Sequence, residues 1–419
     1  MMRKYIFLVL VIVSFAKGIT LEELIEIADQ NSPVLKQKEI DKEIQHYKSL
    51  EAKRKKYGEV NLFGRYDRYE DKRILYPISP PLNPMNLVGA ENQFILGAEY
   101  KVPLFLGYQL RKNIEINQIG KELKNIQYKL TRNQLVYNIR VLYLQILSME
   151  KQLKSAYAYK KALNRLYHDV KYMVKVGKKP EVDVLKVEYE LKNAEANVEK
   201  IKNAIDTLKQ GLKTLVGRED IDLSHLENIR NQTKYSLDEE DINNLDKMKS
   251  LSLQKKIAKK KAKIAKGGYL PKVYFHASAQ RNMGAGEYKD LWNIGLMLNW
   301  TIFDFEQRKS KYIQSKLEMT KIDLEKRNLY LKIKQDLNEA VNKIRTAEAE
   351  IRARKKQVKY AWEVMDIEKL KYTEGISTIY DYLKAKAQYY NAKSLYYKAI
   401  YDRETAISYL LYILEKYKR

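Results

Sequence analysis

Between Gln93 and Leu104 the chain alternates strictly: Phe94, Leu96, Ala98, Tyr100, Val102 and Leu104 fall on one side, Gln93, Gly97, Glu99 and Lys101 on the other. Leu291 to Ile302 repeats the pattern, with Trp292, Ile294, Leu296, Leu298, Trp300 and Ile302 set against Asn293, Gly295 and Asn299. A period of two sustained over about ten residues predicts a half-buried strand. Weaker stretches at Glu59 to Tyr69 and Pro271 to Gln280 predict a partner strand before each. Elsewhere the period is helical. One helix is predicted from about Leu21 to Lys55 and another from Asp241 to Lys266. From Gln109 to Val176 there is no proline and only Gly120, and from Gln307 to Glu374 there is neither residue. At about 1.5 Å per residue each run makes a rod on the order of 100 Å, longer than a compact globular domain holds. Beyond each rod comes a heptad. Val184, Val187, Leu191, Ala194, Val198, Ile201, Ile205, Leu208, Leu212 and Leu215 are spaced three, four, three, four. The later series runs Tyr382, Ala385, Tyr389, Ala392, Tyr396, Ala399, Arg403, Ala406, Leu410, Ile413, with only Arg403 out of character. Such spacing predicts coiled-coil packing.

The two halves are copies. VGKKPEVDVLKVEYELKNA, Val176 to Ala194, returns 198 residues later as EGISTIYDYLKAKAQYYNA, Glu374 to Ala392. The same offset carries Gly97 to Gly295, Phe105 to Phe303, Asp183 to Asp381 and Leu185 to Leu383. Before residue 92 the offset grows to about 213, because the first copy holds about 15 extra residues in EDKRILYPISPPLNPMNLVGAEN. A tandem duplication of a unit of about 200 residues accounts for this, each copy reading helix, two strands, long helix, glycine turn, returning helix. The expected organisation is a signal peptide at 1–18, a first repeat at 19–216, a polar connector at 217–244 and a second repeat at 245–419.

Composition narrows the function. Of 419 residues, 79 are lysine or arginine and 53 aspartate or glutamate, a net charge of +26 that raises nucleic acid and anionic lipid as partners. The opening MMRKYIFLVLVIVSFAKG has the basic start, apolar run and small residues of a secretory signal, which argues against nucleic acid. No later stretch offers 18 apolar residues, so the exported chain is expected to be soluble or to enter a membrane as a β-barrel. Without cysteine it has no disulfide, no thiol metal site and no lipidated N-terminal cysteine. His46, His168, His225 and His276 are scattered and no catalytic or nucleotide-binding motif occurs, so neither an enzyme nor a cofactor or metal is predicted. The lysine excess reads as the solvated face of long helices.

Four strands cannot close a barrel alone, since about eight is the smallest number that does. Either the sheet packs on the rods or several chains pool their strands. Apolar outward faces with Phe94, Tyr100, Trp292 and Trp300 suit contact with an outer membrane, while an ordinary half-buried antiparallel sheet remains a second reading. A secreted or periplasmic coiled-coil scaffold that binds anionic polymers through its lysines is the alternative function.

ITLEELIEIADQNSPVLKQ near the start, VPLFLG and WTIFDF leading into the rods, and the turns VGKKPEVDVLK and EGISTIYDYLKA occur in an order that resembles the TolC-like outer membrane efflux proteins. That resemblance implies a mainly α fold of long antiparallel helical hairpins forming an α-barrel, with a small β part. Four strands per chain would join a twelve-stranded barrel in a homotrimer seated in outer membrane lipid, above a periplasmic helical tunnel. It also implies a periplasmic adaptor (membrane fusion) protein and an inner-membrane pump, in a tripartite efflux or type I secretion system exporting small molecules or proteins. By position, Val176, Gly177, Lys178, Glu374, Gly375 and Ile376 would contact the adaptor. Asp183, Asp381 and Tyr372 match gate positions, though an aspartate near a helix start also has a plain helix-dipole role. Lys186 and Lys384 stand nine residues after the glycines, where an acidic ring is common in the second repeat, and Ser377 stands where a basic gate residue is common. A pore no more than weakly cation-selective is therefore expected.

Overall fold

A computed structural model describes residues 18–81, 87–228 and 242–417. Nearly all of the expected signal peptide, residues 1–17, and connector residues 229–241 lie outside these. The elements are α1 (Leu21–Asn31), α2 (Pro33–Arg54), β1 (Glu59–Ile74), β2 (Gly89–Leu106), α3 (Gln109–Lys175), α4 (Glu181–Val216), α5 (Asp246–Gly267), β3 (Lys272–Gly284), β4 (Glu287–Asn299), α6 (Gln307–Thr373) and α7 (Ile379–Ile413). The fold is mainly α with one small sheet, as the periodicities predict. The expected first helix is broken in two at Ser32, because Pro33 has no amide hydrogen to continue α1 and instead starts α2. Thr20 and Glu23 close a capping box at the head of α1.

The chain forms two compact units, each drawing on both sequence repeats. One comprises the segment up to Lys38, Tyr128–Asp246 and the segment from Tyr330 onward; the other comprises Glu39–Gln127 and Lys247–Leu329.

The second unit holds the sheet, antiparallel and ordered β1-β2-β3-β4. All four strands outrun or shift from their predicted bounds. β1 continues past Tyr69 to Ile74 through an irregularity between Arg68 and Arg73, where polar residues hide the period. Register puts Val60 beside Tyr100, Tyr66 beside Phe94, and Trp292 beside Ala279, so the apolar sides of the strands make one face. Leu62, Trp292 and Leu296 on that face are 84%, 77% and 72% exposed, so it is not packed on helices. β1 and β4 each have one neighbour, leaving two open edges. No helix among the described residues is long and apolar enough to cross a membrane.

In the first unit, Leu24, Leu35, Leu135, Ile139, Leu144 and Leu212 form a core shared by α1, the start of α2, α3 and α4. The connector closes over it: Ile221 and Leu223 are buried, and Ile19 bridges Leu226 in parallel. Buried Tyr143 donates its hydroxyl to the carbonyls of Ile19 (3.1 Å) and Glu227 (2.5 Å). The heptad of α4 is buried at Val187, Leu191, Ala194, Val198, Ile205 and Leu212 and half-buried between them. Arg403, the odd member of the α7 series, is neutralised by Glu348 (3.3 Å) and Glu404 (2.8 Å).

Candidate functional site

Two glycine turns join α3 to α4 and α6 to α7. Both are built alike. The amide of Gly177 donates to Val174 O (2.9 Å) and that of Lys178 to Met173 O (2.8 Å); Gly375 donates to Tyr372 O (3.2 Å) and Ile376 to Lys371 O (2.8 Å). These paired bonds make a Schellman motif, which needs a left-handed residue, and the glycines have φ of 72° and 78°. A Cβ at either glycine would meet nothing within 4 Å, so the requirement is conformational and not steric. Val176 and Ile376 are exposed beside them, as are Lys178 and Glu374. All six expected contact residues therefore stand at the surface of the turns.

Beneath the turns, α3, α4, α6 and α7 share one core: Leu163, Val170, Val187, Tyr372, Ile379 and Leu383 belong to it. Here the structure brings two expected gate residues together. The Tyr372 hydroxyl lies 3.4 Å from the Asp183 carboxylate, a long hydrogen bond between two buried side chains. Burial first, then the Asp183 charge, pushes the Tyr372 hydroxyl well above its ordinary range, so it remains a donor. Lys179 from the other turn completes the contact. Its ammonium donates to Tyr372 O at 2.9 Å and lies 4.1 Å from the ring centroid. Ser377, at the equivalent place in the second turn, bonds Glu368 at 2.8 Å.

Asp381 is used differently. Its carboxylate accepts from the Thr378 amide (3.3 Å) and hydroxyl (2.5 Å), while the Thr378 hydroxyl accepts from the Asp381 amide (3.2 Å). This capping box, with Lys384 adding its charge, holds the exposed carboxyl of Asp381 below the usual range. Lys186 and Lys384 are exposed and line one groove between α4 and α7.

Two residues escaped the sequence reading. Lys179 is hidden in the first turn because its Tyr372 partner is 193 positions away. Lys386 is 6% exposed, donating to Ala162 O (3.3 Å) and the Tyr382 hydroxyl (3.2 Å). Burial, assisted by Lys369 and opposed by Asp169, lowers its amine to about 8. Its spacing of four from Tyr382 and three from Tyr389 was the available signal, since it shares their helix face.

In the sheet and just past the end of β4, the expected membrane-facing residues Phe94, Tyr100, Trp292 and Trp300 are all exposed. Tyr100 donates its hydroxyl to Tyr57 O (2.8 Å) and Trp300 its indole N–H to Tyr269 O (3.1 Å), so each ring has its polar end satisfied.

The fold is shared with solved bacterial channels. The outer membrane protein VceC of Vibrio cholerae aligns with a TM-score of 0.78 at 14% identity, over 94% of this chain and 96% of that one. The CmeC outer membrane channel of Campylobacter jejuni gives 0.79 at 15% identity over 95% and 86%, and the MtrE channel of Neisseria gonorrhoeae 0.76 at 16% over 94% and 88%. Identities this low speak for the fold alone. Among curated protein sequences none matches the chain. The family profile described as outer membrane efflux protein matches residues 24–218 and 240–414, nearly the whole of both repeats. The chain accordingly belongs to the outer membrane efflux protein family, and the outer membrane is its location.

Proposed function

We propose that the protein is the outer membrane channel-tunnel of a tripartite efflux or type I secretion system. In this reading three chains close one twelve-stranded barrel, and the helices continue it as a periplasmic tunnel ending at the glycine turns. The observation that carries it is the sheet: an apolar face largely exposed in the single chain, with both edges unpaired. In water such a sheet would be an aggregation site; in a bilayer, apolar outward residues are what lipid requires, and closure removes the edges. A leader at 1–18, repeats at 19–216 and 245–419, and a connector at 217–244 complete the organisation.

At the glycine turns, Val176, Gly177, Lys178, Glu374, Gly375 and Ile376 meet the periplasmic adaptor, which couples the channel to an inner-membrane pump. Asp183 and Tyr372, clasped by Lys179, hold the two hairpins together, and Lys186, Asp381 and Lys384 ring the constriction. Small molecules or proteins leave through it. Light scattering of the purified protein in detergent tests the assembly: a mass of three chains is expected, and a monodisperse monomer with its strands formed would exclude the barrel.

A further inference from the structure

The groove between α4 and α7 has a volume of about 470 Å3, within the range of small-molecule sites. Its walls are Leu185, Tyr189, Tyr380 and Leu383, and its two ammonium groups are Lys186 and Lys384. Leu185, Tyr189 and Tyr380 turn away from the core beneath the turns and are 61–67% exposed. The repeat makes the site: Leu185 and Leu383 are equivalent positions, as are Lys186 and Lys384, so two copies of one helix face enclose it.

Charge decides the occupant. Among the described residues, neither Lys186 nor Lys384 makes a hydrogen bond or ion pair. The carboxylate nearest to Lys384 in sequence, Asp381, is held by the Thr378 amide and hydroxyl, and Glu188, the one nearest to Lys186, does not line the groove. Glu190 is the one acid lining the groove, against two lysines. An apolar trough with two tyrosine rings and a surplus ammonium suits a molecule whose flat or aliphatic body packs on the rings and whose anionic head meets the ammonium.

We propose that this groove binds an amphiphilic organic anion, a carboxylate or sulfonate on an apolar body of two or three rings. The proposal rests on the channel reading and deepens it, naming the class of cargo that lingers at the constriction.

The test uses the full mature protein in phosphatidylcholine nanodiscs, titrated calorimetrically with 2-naphthalenesulfonate and with 2-naphthylmethylammonium, with empty discs subtracted. The anion should bind at least about tenfold more tightly than the cation of equal size. Lys186→Gln combined with Lys384→Gln should remove that preference, while Tyr189→Ser combined with Tyr380→Ser should weaken both ions alike. Equal affinity for the two probes, or a preference that survives the glutamine pair, would overturn the proposal. So would dissociation of the assembly in the glutamine variant, which would assign the groove to packing between copies. Conductance in planar bilayers, measured on the same preparation, separates the two claims. Charge-selective binding without conduction would sink the channel, and conduction without it would sink the site.

Discussion

The two turns begin from one template and end with different uses for the same residue. Each returning helix has an aspartate at its third position, Asp183 or Asp381. Three residues earlier the second turn has Thr378, whose hydroxyl and amide engage Asp381 and keep it at the surface. The first turn has Pro180 there, with no side-chain oxygen and no amide hydrogen to offer. Asp183 is thereby released from capping, and it is buried against Tyr372 of the other hairpin. A single change of partner thus converts a local helix cap into a tie between hairpins. Lys179 and Ser377 diverge in the same way: the first reaches across to Tyr372, the second bonds within its own hairpin.

The largest expected effect comes from another mismatched pair, Lys386 and its repeat mate Glu188. The buried Lys386 amine titrates at about 8, against 10.5 when exposed. Between those values the unfolded chain holds a proton that the folded chain does not, so stability rises as pH climbs from about 8 to 10.5. Below 8 the buried charge is carried in full. The groups that bear on it are Lys369, Asp169 and the Tyr382 hydroxyl. The window is worth on the order of 3 kcal/mol. Lys386→Met should raise the melting temperature at pH 7 and flatten the pH dependence relative to wild type. Thermal denaturation of both proteins from pH 7 to 10 would reveal it, and parallel curves would mean that the amine is solvated.

Removing the two aspartates sharpens the contrast between the turns. Asp183→Ala leaves the buried Tyr372 hydroxyl without its acceptor, a loss of about 1–3 kcal/mol. Asp381→Ala removes one partner of an exposed cap and should lower the melting temperature less. Double-mutant cycles should give coupling between Asp183 and Tyr372→Phe but none between Asp381 and Tyr372→Phe.

The glycines should erase the contrast. With open space around both, Gly177→Val and Gly375→Val should each lose about 1 kcal/mol through backbone strain alone, equally at the two turns. Assembly should persist in the double variant while export with the cognate adaptor fails, as an efflux assay in cells would read. Undiminished export would take the turns out of the mechanism.

Much of this was legible in the sequence because it is written in period. The 67-residue helices α3 and α6 end within one residue of their predicted limits, since proline and glycine punctuate them. The strand faces were legible for the same reason, their apolar sides falling in register across all four strands. What stayed hidden depends on partners distant in sequence. Nothing near Lys179 announces Tyr372, and Asp183 and Asp381 look identical until Pro180 and Thr378 are compared. Burial of Lys386 required knowing that α3 lies over it, with Ala162 as its acceptor.

The unpaired edges of β1 and β4 also set an order of events. On the trimer proposed above, no chain can finish its own sheet, so the last step of folding is a meeting of molecules and its rate depends on concentration. Until then each chain carries two adhesive borders. Charged residues along β1, among them Arg65, Asp67, Arg68 and Glu70, make that border a poor template for the wrong partner while it waits.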